Sequence, residues 1–295
     1  MDAIARARLS LEGLSLGDGF GERFFCAPEV LDFLLRERAM PAGPWRYTDD
    51  TVMALSIVEV LERHGEIESN RLADLFAKKY AEDPDRGYGS TAHRILRAVG
   101  DGEDWRDVAP SAFDGAGSMG NGAAMRVAPL GAYFADDIER AAFEARRSAE
   151  VTHAHLEGQA GAIAVAVAAA AAINGEDLLD AALRLTPASE TKHGIERARA
   201  LSPELSVAVA VEDLGNGSQV VAQDTVPFSL WCAARHRDDF EEAMWTTVSG
   251  LGDRDTTCAI VGGIVAGVVG EDGVPASWLE LREPLSTLAG HGWPS

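Results

Sequence analysis

Two short stretches of the sequence concentrate carboxylates and hydroxyls in front of apolar runs. Residues 252–257 read GDRDTT, and residues 48–51 read TDDT. Oxygen ligands this dense, with no soft ligand among them, suit a hard cation such as Mg²⁺, Mn²⁺ or Ca²⁺ better than zinc. The apolar residues after the TDDT stretch recur at helical spacing, so we expect each stretch to stand at the start of a helix.

Each stretch taken by itself is also typical of a helix N-cap. Thr and Asp are preferred there because their side-chain oxygens accept hydrogen bonds from free backbone N–H groups. The two stretches together favour metal binding, because converging helix starts would bring four carboxylates into a small volume. Like charges about 4 Å apart repel by several kcal/mol at an effective dielectric of about 20. Bound cations relieve this repulsion, and protonation of some acids is the alternative.

A glycine-rich loop and three further side chains are candidate ligand contacts. Residues 115–126 (GAGSMGNGAAMR) could cradle a phosphate with backbone N–H groups, although such loops are more often plain turns. His153 precedes an alanine-rich run, where it either contacts substrate or makes an ordinary hydrogen bond at a helix start. Tyr88, between two glycines, either contacts a ligand or belongs to a plain connection. Glu22 follows the glycines of residues 17–21 and is either a surface ion-pair partner or a positioned acid.

The elements that must position these residues are predicted to be helices. Hydrophobic residues make up 46% of the 295 residues and aromatic residues only 7%, which favours many closely packed helices over an aromatic-rich sandwich. The apolar residues 160–173 are expected to form a buried helix. No linker or repeat divides the chain, so residues 1–295 are predicted to form one domain.

Several local boundaries follow from glycine and proline. Residues 3–16 are predicted to form a helix that ends at a tight glycine turn over residues 17–21. Residues 184–203 are polar and are predicted to form turns. A helix is expected to start at Asp224, with Pro227 in its first turn, where the missing N–H is harmless.

Charge and cysteine content limit the partners and the compartment. The net charge of -21 disfavours nucleic acid as a main partner, because such binding depends on clustered Lys and Arg. Cys26, Cys232 and Cys258 are widely spaced and form no Cys-x-x-Cys pair, which fits a reducing cytoplasm. Residues 1–16 contain no signal-peptide core, and the apolar run 160–173 is shorter than the ~20 residues needed to span a bilayer.

Four motifs together resemble one family. Residues 48–51, 118–126, 152–153 and 252–257, in this order and spacing, are similar to the motifs of the ADP-ribosylglycohydrolases. This family includes the dinitrogenase-reductase-activating glycohydrolase and the eukaryotic ADP-ribosylhydrolases. The resemblance covers nearly the whole chain. It implies an all-α fold, a single-domain orthogonal multi-helix bundle with a two-Mg²⁺ centre in a central cleft.

The resemblance also implies roles for individual residues. The loop would hold the diphosphate and distal part of ADP-ribose, and His153 would lie near the ribose. The implied metal ligands are Thr48, Asp49, Asp50, Asp253, Asp255 and Thr256, and the implied loop contacts are Ser118, Gly120, Asn121, Gly122 and Met125.

Two positions depart from the family pattern. The family usually reads Gly-Asp-Ala-x-Gly near the start, often followed a few residues on by an acid that is implicated in catalysis. This chain has GDGFG at residues 17–21 and Phe25 at the position of that acid, so Glu22 is the candidate for its role. The family commonly has Gly-Gly-Asp-Thr-Asp where this chain has LGDRD, and Arg254 could contact a substrate phosphate or a surface acid.

The implied reaction is Mg²⁺-dependent hydrolysis of an ADP-ribosyl bond, and the residues agree with it. A ribose with cis hydroxyls can chelate a hard cation that also makes a water more acidic, and a carboxylate can transfer the proton that the leaving group needs. Mn²⁺ is expected to substitute for Mg²⁺. The expected catalytic residues are Asp50, Asp253 and Glu22, and the expected substrate is ADP-ribosyl-arginine on a protein.

Other activities stay open at this point. Serine-linked, nucleobase-linked or O-acetyl-ADP-ribose are alternative substrates, and the acids would equally allow two-metal phosphoester hydrolysis. A non-catalytic member of the family, either ADP-ribose-binding or crystallin-like, is an alternative of another class. The expected partners are ADP-ribose or ADP-ribosylated protein, with nucleic acid only as an ADP-ribosylated substrate and no membrane. The protein is expected to be a cytoplasmic monomer.

Overall fold

The computed structural model describes residues 1–202 and 204–285. This part of the chain contains seventeen α-helices and no β-strand, which confirms the all-α prediction. In chain order the helices are α1 (Ala3–Glu22), α2 (Pro28–Glu37), α3 (Asp49–His64), α4 (Ser69–Glu82), α5 (Ser90–Gly100), α6 (Trp105–Val108), α7 (Gly122–Met125), α8 (Ala128–Tyr133), α9 (Ile138–Glu150), α10 (Leu156–Ile173), α11 (Leu178–Leu185), α12 (Glu190–Ala200), α13 (Val207–Leu214), α14 (Ala222–Arg235), α15 (Phe240–Ser249), α16 (Arg254–Val269) and α17 (Ala276–Leu281), with a 3₁₀ turn at Glu271–Gly273.

Helices α1 and α16 pack against each other through glycines at the centre of the fold. A Cβ atom on Gly13 would lie 2.3 Å from the carbonyl oxygen of Gly262, and one on Gly17 would lie 2.0 Å from that of Cys258. Only glycine permits two helix backbones to approach this closely. The packing that results offsets the cost of about 1 kcal/mol in helix propensity that glycine has relative to alanine. Residues 17–21 therefore lie inside α1, and the predicted glycine turn is wrong. As a result, the last turn of α1 lies beside the start of α16.

Helix α10 is the alanine-rich core helix predicted for residues 160–173. By length and composition it could cross a membrane, but 83% of it is buried inside the protein. Its alanines allow α8, α9, α14 and α16 to approach it closely. The expectation of a buried helix is confirmed, and this helix forms a wall behind the glycine-rich loop.

The prediction of turns over residues 184–203 is wrong where α12 forms. Ser189 is the N-cap of α12, and the carboxylate of the buried Glu157 accepts hydrogen bonds from the N–H groups of Glu190 and Thr191 at 2.7 and 3.0 Å. Glu157 thus satisfies N–H groups that a helix start leaves free. Ser189 is a local cap, since its Oγ accepts from the N–H of Lys192 at 3.1 Å, but the contribution of Glu157 could not be recognised locally because it belongs to α10.

Helix α14 starts earlier than predicted. It begins at Ala222, two residues before Asp224, so Pro227 lies inside the helix and not in its first turn. A Cβ atom on Gly194 would lie 2.3 Å from Cγ of Pro227. The proline ring therefore packs directly on the backbone of α12.

Candidate active site

Helices α3 and α16 begin next to each other and bring their acids together. Asp49 and Asp50 are 9% and 2% exposed, and both experience the negative charge of Asp253. Burial and then neighbouring carboxylates raise the pKa of Asp50 and of Asp255 well above the usual range, and that of Asp49 to about 8. The expected convergence of the two helix starts is confirmed.

The N-cap interpretation applies to α3 but not to α16. Thr48 is the N-cap of α3, and its Oγ1 accepts a hydrogen bond from the backbone N–H of Asp50 at 3.3 Å. Asp253 holds the corresponding position of α16 without a side-chain cap hydrogen bond. Its Oδ2 accepts instead from Nδ2 of Asn121 at 2.7 Å. Capping explains Thr48, whereas Asp253 is directed towards the glycine-rich loop.

Asp18 is a fifth acid of this cluster, and the sequence prediction missed it. It is fully buried on α1 and accepts hydrogen bonds from the N–H groups of Thr48 and Thr51 at 2.9 and 3.1 Å. Burial raises its pKa to about 6 despite these hydrogen bonds. Asp18 thus anchors the start of α3 to α1. Its local signal, an acid between two glycines, suggests a turn until α1 and α16 are seen to touch, although Asp18 also stands at the Asp of the family's Gly-Asp-Ala-x-Gly pattern.

The chemistry of the cluster fits hard cations. Oδ1 of Asp50 and Oδ1 of Asp255 are buried and have no hydrogen-bond partner within the described part of the chain. A buried acceptor left unsatisfied costs about 1–3 kcal/mol, which a cation would recover. As they stand, no three His, Cys, Asp or Glu side chains among the described residues form a group that could hold a metal ion. The six-residue ligand set therefore stays a prediction that rests on donor chemistry and these unsatisfied oxygens.

A cavity of about 520 Å³ separates the acids from the glycine-rich loop. Asn121 connects its two sides, because its Nδ2 donates both to Asp253 and to Oγ1 of Thr225, the latter at 3.0 Å. The loop and the acids thus face a common space of a size that suits a small-molecule ligand. Of the predicted site residues, the cavity is lined by Ser118, Gly120, Asn121, Gly122, Met125, His153, Asp49, Asp50, Asp253, Asp255 and Thr256.

The prediction for Tyr88 as a substrate contact is corrected by the structure. Its side chain does not line the cavity and is only 5% exposed, because its ring packs edge-on against Tyr80 at 5.1 Å between centroids. The flanking glycines, Gly87 and Gly89, line the cavity instead. Tyr88 is a core residue of the segment before α5.

Two exposed apolar side chains at the rim of the cavity were not predicted. Phe113 and Val220 line it, are 62% and 55% exposed, and have positive φ angles of 53° and 55°. A bulky or β-branched residue in this left-handed region is strained, and such strain concentrates at ligand sites. No local pattern in the sequence marks either residue.

His153 forms part of the cavity wall and belongs to a buried hydrogen-bonded chain. Nη2 of the fully buried Arg126 lies 2.9 Å from Oγ1 of Thr152, which in turn lies 2.8 Å from Nδ1 of His153. Burial and then the charge of Arg126 lower the pKa of His153 to about 3, so the imidazole is neutral at pH 7. Arg126 and Thr152 were quoted in the sequence motifs, but their roles were not predicted.

A second cavity, of about 360 Å³, lies on the other side of Asp255. Asp255 and Gly87 line both cavities. Two predicted site residues, Glu22 and Thr48, line only the second. Glu22 is half-buried, and burial raises its pKa above the usual range. The structure thus places Glu22 beside the acid cluster but apart from the glycine-rich loop.

Arg254 does not have either of the contacts expected from the sequence. Its Nη1 donates to the carbonyl oxygen of Phe24 at 2.9 Å, and its guanidinium lies 4.3 Å from the centroid of the Phe25 ring. It lines neither of the two cavities and forms no ion pair within residues 1–202 and 204–285. Backbone and aromatic contacts therefore hold this side chain outside the site.

Comparisons with known proteins agree with this architecture. The family model described as ADP-ribosylglycohydrolase matches residues 1–291. The human (Homo sapiens) ADP-ribosylhydrolase ARH3 is 30% identical over 95% of this chain and 90% of that protein. The ADP-ribosylarginine hydrolase Tri1 of Pseudomonas putida (strain GB-1) is 25% identical over 94% of this chain and 74% of that protein. A solved structure of an ADP-ribosylglycohydrolase-related protein complex superposes with a TM-score of 0.67 and 26% identity, covering 96% of this chain and 93% of that one.

Proposed function

The chain belongs to the ADP-ribosylglycohydrolase family, and we propose that it is a Mg²⁺-dependent hydrolase that removes ADP-ribose from arginine on modified proteins. One observation carries the proposal: a buried cluster of carboxylates and a glycine-rich loop face each other across one cavity. The loop side offers backbone N–H groups and His153 to a diphosphate and ribose. The opposite side offers carboxylates to the cations and to the reacting end of the ligand.

Six residues would hold the two Mg²⁺ ions, or Mn²⁺ in their place. Bound cations would neutralise the carboxylates and supply Lewis acidity at the ribose. The protein itself orients the two proposed catalytic aspartates. Oγ1 of Thr48 lies 3.0 Å from Oδ2 of Asp50, and Asn121 donates to Oδ2 of Asp253. The proposed ligands are Thr48, Asp49, Asp50, Asp253, Asp255 and Thr256.

The second cavity is the proposed leaving-group side, since it shares a wall with the first. In the described part of the chain, the carboxylates of Glu22 and Asp85 have no ion pair or side-chain hydrogen bond. Arg46, by contrast, is paired with Asp83 at 3.1 Å, and Arg86 is paired with Asp83 at 2.8 Å and with Glu283, so two acids balance the two arginines. Asp85 is thus a lining acid that neither arginine pairs with, and its negative charge suits a cationic guanidinium. The name of the Pseudomonas putida relative supports the same linkage.

Glu22 is the proposed general acid. Its raised pKa means that the carboxyl retains its proton to a higher pH than an exposed glutamate does. A protonated Glu22 at the leaving-group side can transfer that proton to the nitrogen that departs from the ribose. This role matches the acid that the family usually has a few residues further on.

We also propose that residues 1–295 act as a single domain and as a cytoplasmic monomer. All three cysteines are free, which supports a reducing compartment. Size-exclusion chromatography with light scattering tests the monomer; a stable dimer would contradict it.

The linkage is tested by turnover on proteins or peptides that carry arginine-, serine- or guanine-linked ADP-ribose. We expect the highest kcat/KM on the arginine linkage, and loss of turnover in EDTA that Mg²⁺ or Mn²⁺ restores. Preference for serine or guanine would overturn the arginine assignment. Full turnover after exhaustive dialysis against EDTA would overturn the metal assignment.

A further inference from the structure

We propose that Arg126 and Thr152 fix the tautomer of His153 that carries its proton on Nε2, so that His153 donates a hydrogen bond to an oxygen of the bound ligand. Arg126 and Thr152 are positioning residues in this account, because they act through His153. The identity of the ligand as ADP-ribose rests on the proposed function, whereas the tautomer rests only on the geometry of the three side chains.

The direction of the first hydrogen bond is fixed by chemistry. A guanidinium has no acceptor, so Nη2 of Arg126 donates to Oγ1 of Thr152 across their 2.9 Å separation. Nη2 also donates to the carbonyl oxygen of Ser148 at 2.9 Å, and the guanidinium lies 4.5 Å from the centroid of the Phe76 ring. These contacts hold the arginine in place, so Thr152 always has a donor on one side.

The second hydrogen bond follows from the hydroxyl of Thr152. This side chain is 3% exposed, and its remaining polar neighbour in the described structure is Nδ1 of His153 at 2.8 Å. If Nδ1 carried the proton, the Thr152 hydroxyl would accept twice and its own buried hydrogen would have no acceptor, which is unfavourable. The satisfied arrangement has Thr152 donating to Nδ1. The proton of a neutral imidazole then resides on Nε2.

Nε2 of His153 lies close to the backbone of the glycine-rich loop. A Cβ atom on Gly120 would lie 3.2 Å from Nε2, and one on Gly122 would lie 3.3 Å from it. Within residues 1–202 and 204–285, no protein group accepts a hydrogen bond from Nε2. The lowered pKa of His153, about 3, supports a neutral donor. Phosphate oxygens only accept hydrogen bonds, so the diphosphate of an ADP-ribose ligand suits this tautomer and not the opposite one, whereas a ribose hydroxyl can pair with either.

The test is histidine ¹⁵N NMR of the ligand-free protein. The signals of His153 are assigned as those that disappear in His153→Gln. We expect wild-type His153 to be neutral with its proton on Nε2. Thr152→Val, which is nearly isosteric, removes the hydrogen bond to Nδ1, so it should shift the Nδ1 resonance of His153 and weaken ADP-ribose binding about tenfold in calorimetry. Thr152→Ser retains the hydroxyl and should restore both properties.

A second threonine–histidine pair provides a matched control. Oγ1 of Thr246 lies 2.9 Å from Nε2 of His236, away from both cavities. Thr246→Val should change the His236 signals and leave the His153 tautomer and ADP-ribose affinity as in wild type. A wild-type His153 with its proton on Nδ1, or an Nδ1 resonance that does not change in Thr152→Val, would overturn the proposal. If the tautomer is as expected but ADP-ribose does not bind wild type, the proposed function fails and the tautomer assignment stands.

Discussion

The guanidinium of Arg254 lies 4.3 Å from the centroid of the Phe25 ring, so the two positions at which the chain departs from its family's pattern contact each other. Phe25 is exposed, and a cation–π contact at such a site contributes about 0.5–1 kcal/mol. Arg254 also donates to the carbonyl oxygen of Phe24, which holds the segment after α1 against the start of α16. Phe25 is therefore a structural partner of Arg254, and Glu22 is left as the carboxyl group of this segment that lines the second cavity.

Glu22→Gln should lower kcat by about 10²- to 10⁴-fold with little change in ADP-ribose affinity, because it removes the proposed proton donor and preserves its shape. Steady-state kinetics on the arginine-linked substrate and calorimetry with ADP-ribose measure the two quantities. Glu29→Gln, at an exposed position of α2, is the matched control and should behave like wild type. Wild-type kcat in Glu22→Gln would exclude Glu22 as the general acid.

Gly122→Val should weaken ADP-ribose binding at least tenfold, an effect far larger than its effect on thermal stability. A Cβ atom at this position would lie 3.1 Å from Cε1 of His153, and its branches would extend towards the ligand space. Calorimetric titration with ADP-ribose and a thermal melt test the prediction. Gly100→Ala, whose Cβ would meet only Ala77 at 3.9 Å, is the control. Unchanged ADP-ribose affinity in a folded Gly122→Val protein would indicate that the loop is a plain turn and does not bind the ligand.

The sequence predicted the helical fold and most of the cavity because the relevant signals were local. The acids of residues 48–51 and 252–257 and the loop of residues 118–126 each form a contiguous pattern, and the structure brings them together. What could not be predicted depends on contacts between distant segments. The glycines around Asp18 indicate a helix only when α16 is known to pack on them.

For Tyr88 and Arg254, the local sequence suggested functional roles that the structure does not support. Their local surroundings, a pair of glycines and a pair of acids, suggested exposed functional roles. Tertiary contacts with Tyr80 and with Phe25 determine their actual positions. A pattern of neighbouring residues cannot indicate such contacts, because the partner residues lie elsewhere in the sequence.

Acidification of the metal-free protein should raise its melting temperature between pH 8 and pH 6.5. The folded pKa values of Asp49, about 8, and of Asp18, about 6, exceed the ordinary value of 3.8, so the folded state binds more protons than the unfolded state. The free energy of unfolding therefore falls as pH rises from 3.8 towards these folded values. His153, with a folded pKa of about 3 and an ordinary value of 6.5, acts in the opposite direction, but only below pH 6.5.

Calorimetric melts in EDTA across this pH range measure the effect. Asp49→Asn should flatten the dependence, whereas Asp74→Asn, at an exposed position of α4, should retain it. A melting temperature that rises from pH 6.5 to pH 8 in wild type would contradict the presence of repelling buried carboxylates.

Asp255→Asn separates metal binding from a plain charge–dipole role in the first turn of α16. Loss of one of the converging charges should raise the melting temperature of the metal-free protein by relieving repulsion. The same change should weaken metal binding, so the stabilisation by saturating Mg²⁺, about 2.7 kcal/mol at 100 times the Kd in wild type, should shrink. If Asp255 only interacts with the helix dipole in the first turn of α16, Asn should cost about 0.3–1 kcal/mol and leave the two curves parallel. Scanning calorimetry of both proteins from EDTA to millimolar Mg²⁺ distinguishes the two outcomes.

The central claim is that this protein breaks the glycosidic bond of ADP-ribosyl-arginine, and product analysis tests it most directly. An arginine-ADP-ribosylated protein is incubated with the enzyme and Mg²⁺, and both products are identified by mass spectrometry. We predict free ADP-ribose with its diphosphate intact and an unmodified arginine, with no release in EDTA or with Asp50→Asn. Release of AMP with phosphoribose left on the arginine, or no release of either product, would contradict the claim.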